Sequence, residues 1–192
     1  MGVQETLGDI AARCNGEIRT GPFGTQLHRS DYVDAAVDGV AVVMPKDMVD
    51  GRIDYSSIKF VRREKALELS QHIARPGDVL LARRGDIGRF VLVRESDDGA
   101  LCGTGALKIR LNGCDLSSEF LALYLETRRG RSQLEGRAVG STMPNINDGI
   151  VRSLEVEYPP LAAQRRIVET LRAYDELIEN NQRRIKILEE MA

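Results

Sequence analysis

LAAQRRIVETLRAYDELIENNQRRIKILEEMA (161–192), which follows Pro159-Pro160, holds no proline and no glycine. Apolar or near-apolar side chains recur at Ile167, Leu171, Tyr174, Ile178, Ile185, Leu188 and Ala192, with Asn181 filling the one gap. The steps alternate four and three, which is a heptad seam on a helix. At about 1.5 Å per residue such a helix runs about 45 Å, too far to lie along the small domain that precedes it. Its other faces carry Arg165, Arg166, Glu169, Arg172, Glu179, Arg183 and Arg184. The stripe is therefore expected to meet another helix, the alternative being a terminal helix folded back on its own domain. Asn181 suits a register-setting polar contact in such a seam. The double proline predicts a boundary between a globular domain over 1–160 and a coiled-coil spacer or dimerisation helix over 161–192.

Upstream of the prolines, LEVEY (154–158) reads as a strand. DVLLA (78–82) and FVLV (90–93) are apolar runs separated by RRGDIGR (83–89), and ALKIRL (106–111) alternates. GVAVVM (39–44) is a strand stopped by Pro45, and Asp50-Gly51 is a turn signal. Helical spacing appears in three places. LGDIAARC is capped by Thr6 and ends at Asn15-Gly16, 63–69 forms a short helix, and 117–128 is capped by Ser117 or Ser118. GPFGTQL (21–27) predicts a shaped turn in which two glycines allow positive φ, and GSTMPNINDG (140–149) a long loop. The expected fold class is α/β: a mixed, twisted-sheet domain followed by one long C-terminal coiled-coil helix.

Composition narrows the function. The 192 residues are 42% hydrophobic, enough to bury a core. No apolar run reaches the roughly 18 residues a membrane span needs, and no leader precedes the first helix, so a cytoplasmic protein is expected. Cys14, Cys102 and Cys114 make an odd number without a C-x-x-C pair, which predicts reduced thiols rather than a disulfide framework or a zinc site. His28 and His72 are too few and too far apart for a histidine-rich metal site. The net charge of −2 conceals a basic middle, net +4 over 59–152 between acidic flanks, a weak pointer to a polyanionic partner.

Catalytic constellations are scarce. There is no phosphate-binding G-x-x-x-x-G-K-[ST], no G-x-S-x-G, and no E-x-K to complete a nuclease carboxylate cluster. GTGALK (103–108) lacks the third glycine of a dinucleotide fingerprint. EYPPL (157–161) has neither the amide nor the aromatic of an amino-methyltransferase motif. No catalytic residue, no metal ligand and no cofactor is assigned. What the chain offers instead are loops rich in donors. Arg83, Arg84 and Arg89 lie between two strands, and their guanidinium forks match phosphate or guanine edges. Ser141, Thr142, Asn145 and Asn147 can bond phosphates or base edges. Lys46 stands at a strand end, and Gln26 lies in the GPFGTQL turn. Each loop taken alone is equally a solvated turn; three in one small domain, with the basic middle, favour a nucleic-acid surface.

GPFGTQL, the VVMPKDM–DGRI stretch, PGDVLLARRGDIGR, LCGTG, GRAVGSTMPNIN and the helix from Pro159 onward together resemble the DNA-specificity subunits of type I restriction–modification systems. The motifs stand in that family's order and cover nearly the whole chain. The resemblance implies a target-recognition domain that reads double-stranded DNA, and a helix that pairs antiparallel and docks on the methyltransferase subunit and, through it, the restriction subunit. The modification and cleavage chemistry then belongs to those partners, in phage defence. Family members carry two recognition domains and two such helices; this chain has one of each. It is either a half-subunit, pairing as a homodimer or with a second recognition half, or a fragment. The competing reading is an assembly protein that acts through its helix without touching DNA.

Overall fold

The computed structural model is described over residues 2–33, 39–140 and 145–191. Elements follow in the order β1 (Val3–Thr6), α1 (Leu7–Arg13), β2 (Glu17–Thr20), β3 (Tyr32–Val33), β4 (Gly39–Val43), β5 (Met48–Val49), β6 (Arg52–Ile53), β7 (Lys59–Arg62) and α2 (Arg63–Glu68). After these come β8 (Val79–Ala82), β9 (Phe90–Leu92), β10 (Leu101–Cys102), β11 (Ala106–Arg110), α3 (Ser118–Glu126), α4 (Arg128–Arg137), α5 (Asp148–Arg152), β12 (Glu155–Tyr158) and α6 (Leu161–Met191). The expected mixed-sheet α/β domain is built from two four-stranded sheets, β2-β11-β8-β9 and β10-β4-β7-β3, with two small ladders, β1-β12 and β5-β6. The pairing is mixed, because β10 runs parallel to β4 while the other strand pairs are antiparallel.

The two-residue period of a strand explains the layering. In the β2-β11-β8-β9 sheet, Val79, Leu81, Leu107 and Ile109 face one way and pack with Leu7, Ile10, Leu121, Leu125, Leu134 and Val151 of the helices. Leu80, Ala82, Val91 and Ala106 face the other way and meet Val43 and Cys102 of the second sheet. That sheet buries its far side, Val42, Val61 and Leu101, beneath Ala66 and Leu69. A strand covered on both faces reads as a continuous apolar run, which is why DVLLA shows no alternation.

The alternation seen in ALKIRL has a different origin. Lys108 is not on a wet face: it is fully buried, and its ammonium donates to the carbonyls of Gln71 and Ile73 at 2.8 and 3.2 Å and pairs with Glu17 at 3.2 Å. Next to it, Arg110 grips Asp78 through both Nε and Nη2. These charges fix the segment over 70–73 against the central strand.

The hairpin β5-β6 turns on Asp50 and Gly51, both at positive φ, as an Asp-Gly two-residue turn requires. Thr6 caps α1 by accepting from the Asp9 amide, and Ser117 caps α3 by accepting from that of Phe120. Helix α4 lies in a stretch without a clear apolar period: Gly130 packs directly on the Tyr124 carbonyl, and Thr127 caps the helix.

Cys14 and Cys114 are joined as a disulfide across 5.4 Å between their α-carbons, and Cys102 is the buried free thiol. This corrects the expectation of three reduced thiols. The cause is register: Glu17 pairs with Arg110, and carrying that antiparallel ladder three residues outward brings Cys14 beside residues 113 and 114. Sequence spacing cannot reveal such a pair.

Helix α6 sits on the same corner. Its fully buried Gln164 accepts from the Ser117 amide at 2.9 Å and donates to the carbonyls of Asp115 and Pro159 at 2.6 and 2.7 Å. Val168 is buried, and Arg172 reaches Glu119 at 3.9 Å. Beyond this seat the helix stands away from the domain, with Tyr174, Ile178, Ile185 and Leu188 all more than half exposed. No helix among the described residues is long and apolar enough to cross a membrane.

The Cys14–Cys114 bond closes a loop of about 100 residues, and native cross-links of this kind stabilise by about 2–4 kcal/mol. Cys14→Ser is expected to melt several degrees below the oxidised parent, and a reductant should lower the parent to the same value. Equal melting temperatures with and without reductant would contradict the cross-link.

Candidate nucleic-acid interface

Gly103, Thr104 and Gly105 link β10, in one sheet, to β11, in the other, and the predicted loops gather around them. The Gly103 amide donates to the Val43 carbonyl at 2.9 Å, and Pro45 packs on Gly105, which brings the end of β4 alongside. Thr104 Oγ1 donates to the Pro22 carbonyl at 3.0 Å, and the Gly21 amide to that of Ala106 at 2.9 Å. A Cβ on Gly21 would collide with the Gly103 carbonyl, so glycine is required here for close approach. Neither Gly21 nor Gly24 adopts the positive φ anticipated for this turn; the positive values belong to Gly85 and Gly88 in RRGDIGR.

From the same hub the Arg83 amide donates to the Gly105 carbonyl, and the Arg83 carbonyl accepts from the Ile146 amide, each at 2.9 Å. Val139 and Asn145 exchange a pair of 3.0 Å backbone bonds, and Arg84 bridges to Asn145. Residues far apart in sequence, in 21–27, at 83 and 84, and at 139, 145 and 146, thus meet through backbone contacts rather than through side chains free to rearrange.

The predicted side chains divide accordingly. Arg83 is 7% exposed; its Nε donates to Asn145 Oδ1 at 3.4 Å, and its guanidinium lies 5.5 Å from the centre of the Phe23 ring. Burial, and then the neighbouring charge of Arg84, lower its affinity for the proton, with Asp148 acting in the opposite sense. Arg84 is exposed, and among the described residues its side chain makes no hydrogen bond or ion pair. Gln26 closes its turn by accepting from the Phe23 amide at 3.3 Å.

The remaining predicted residues have local duties. Arg89 pairs with Asp86 at 2.6 Å. Asn147 caps α5 by accepting from the Ile150 amide at 2.9 Å. Lys46 neighbours Pro45, yet its ammonium turns onto Asp47 at 2.7 Å and onto the carbonyl and hydroxyl of Ser57. The structure does not bring that charge to Arg83. Ser141 and Thr142 lie outside the described residues.

Sequence reading misses two parts of this site. Thr104 reads only as part of GTGALK, though a hydroxyl between two glycines at a strand crossover is the available signal. Phe23, 54% exposed in the shaped turn, carries no assignment from sequence. Among the described residues no group of three or more His, Cys, Asp or Glu is placed to hold a metal ion.

The geometry can be set beside known proteins. The family profile described as "Type I restriction modification DNA specificity domain" matches residues 47–190. The MjaIX type I restriction enzyme specificity subunit of Methanocaldococcus jannaschii is 26% identical over 152 residues, 78% of this chain and 34% of that protein. A chain from a structure of type I R-M complex assembly and conformational transition superposes with a TM-score of 0.69 at 21% identity, covering 95% of this chain and 40% of its own length. The HsdS subunit from Thermoanaerobacter tengcongensis gives 0.62 at 20% identity, covering 95% and 39%. The two structural likenesses establish the fold, and the chain spans little more than a third of each of these relatives. With the profile covering most of its residues, the chain belongs to the type I restriction–modification DNA specificity family.

Proposed function

We propose that this chain is the non-catalytic, DNA-reading component of a type I restriction–modification system. In this reading 1–160 forms the target-recognition domain and 161–192 the pairing helix. The observation that carries it is the convergence of three distant loops on the Gly103–Gly105 crossover, which sets the exposed Arg84 beside the buried Arg83 and its partner Asn145. Donors of this type serve both tasks of a DNA contact: guanidinium groups neutralise phosphates, and amides and forks read base edges. Arg84, exposed and without a carboxylate partner among the described residues, is the cation most available for either task. Arg89, Asn147 and Lys46 would first have to exchange the partners they hold, and Ser141 and Thr142 complete the candidate set.

The alternative, an assembly protein acting only through its helix, leaves the gathered loops without a role. Helix α6 has its own part here. The stripe of Ile167, Leu171, Tyr174, Ile178, Asn181, Ile185 and Leu188 is open to solvent, and each Leu or Ile buried on pairing contributes about 1.5–3 kcal/mol. We place a second copy, or a second recognition half, antiparallel along it. That arrangement sends the two domains to opposite ends of the spacer and makes the target an interrupted palindrome of half-sites. The methyltransferase subunit, and through it the restriction subunit, would dock on the assembled pair in the cytoplasm, in defence against phage.

Two measurements test this. Titration of the chain with a pool of random duplexes at several salt concentrations should give salt-dependent binding, and Arg84→Ala should weaken it. If Arg84 meets a phosphate, the loss is similar for all sequences and the salt slope falls by about one; if it meets a base, about 1–3 kcal/mol is lost at one position. Binding unchanged by the substitution would remove Arg84 from the interface. For the helix, Leu171→Asp with Ile178→Asp places charges in the stripe, where burial without a partner is strongly unfavourable. Light scattering should find a dimer for the parent and a folded monomer for the double variant. A monomeric parent at high concentration, or a dimeric variant, would rule out α6 as the self-pairing surface.

A further inference from the structure

Phe23 is a large apolar side chain held in water beside the Arg83 guanidinium. Its exposure of 54% does not come from a loose tip. The turn behind it is closed by the amides of Gln26 and Leu27 donating to the Phe23 carbonyl at 2.8 and 3.1 Å, and by Gln26 Oε1 accepting from the Phe23 amide. Leu27 anchors the far end in the core, and Thr104 grips Pro22 on the near side. One side of the ring is occupied by the Arg83 guanidinium, 5.5 Å from its centre. The fold therefore builds a rigid aromatic, capped on one side by Arg83, which itself bonds Asn145 and adjoins the exposed Arg84.

We propose, on the basis of the DNA-binding reading above, that Phe23 is a specificity-determining residue that makes apolar contact with a base in the duplex. A phenyl ring has nothing to offer a phosphate. The apolar groups that a stacked duplex presents to a protein are the thymine C5 methyls of the major groove, whereas base faces become available only at an unstacked step. Full insertion of Phe23 between two bases needs both faces of the ring, and Arg83 covers one. This leaves the edge and the free face of the ring, which match a methyl group. The exposed Arg84, next in sequence to the arginine that caps the ring, supplies a cation for a phosphate nearby, so the ring is brought to the groove by a contact that carries no sequence information of its own.

The test begins with selection of binding sites from random duplexes by the full chain. Each thymine of the selected site is then replaced singly by deoxyuracil, which removes only the methyl, and affinities are measured for the parent and for Phe23→Ala. One replacement should weaken the parent by about four-fold, the equivalent of one buried methyl, and leave Phe23→Ala unaffected. The chain has no tryptophan. Phe23→Trp therefore installs a single tryptophan at the site, whose selectively excited fluorescence should change on addition of the selected duplex. A selected site without thymine, or replacements that affect the parent and Phe23→Ala alike, would overturn the contact while leaving DNA binding intact. Intact DNA binding with unchanged fluorescence from the Phe23→Trp variant would likewise exclude the ring from the interface. A parent chain that selects no sequence would overturn the DNA-binding reading itself.

Discussion

The backbone crossover at Gly103, Thr104 and Gly105 is the constraint on which the candidate site depends. Two sheets that share a core must pass a strand connection between them, and this one is made with almost no side-chain volume. Gly103 cannot carry a Cβ without meeting the Val43 carbonyl, and Gly21 cannot carry one without meeting Gly103 itself. The resulting closeness lets five backbone segments bond to one another, so the positions of Phe23, Arg83, Arg84 and Asn145 are set by main-chain geometry. Recognition depends on holding donors at fixed separations, and a frame of this kind supplies that without costly ordering of long side chains on binding.

A second constraint sits at the opposite end of the chain. Gln164 is buried with its amide fully engaged by the backbone at 115, 117 and 159. The Cys14–Cys114 bond and the Arg13–Glu5 pair, at 2.8 Å, lie beside it. Together they fix where α6 leaves the domain, and hence the angle at which any second domain would be held. The heptad stripe supplies the affinity for another helix; the seat decides where that helix and its load would point.

Much of this was legible in the residues. The long helix followed from 31 turnless residues with a heptad stripe, and β8, β9, β11, β12, α1 and α3 from period and capping. The missed features share a cause, since each depends on contacts between distant segments. The division of the strands between two sheets, which no sequence pattern addressed, the burial of Lys108, and the pairing of Cys14 with Cys114 are consequences of register that no local pattern encodes. Helix α4 was hidden because its sequence, RRGRSQLEGR, buries only Gly130 and Leu134. At the site, the residue types in the loops were the right signal for a polar surface. What separates Arg84 from Arg89, or Asn145 from Asn147, is whether a nearby Asp or helix terminus already uses the side chain.

Whether the three loops form one DNA-reading face is tested most directly by hydrogen exchange. Exchange of the chain is followed by mass spectrometry with and without a saturating pool of random duplexes. Protection is expected to appear together in peptides covering 21–27, 83–89 and 145–147, with none in the outer half of α6. Protection confined to α6, or to one loop while the other two exchange as before, would contradict a single reading face.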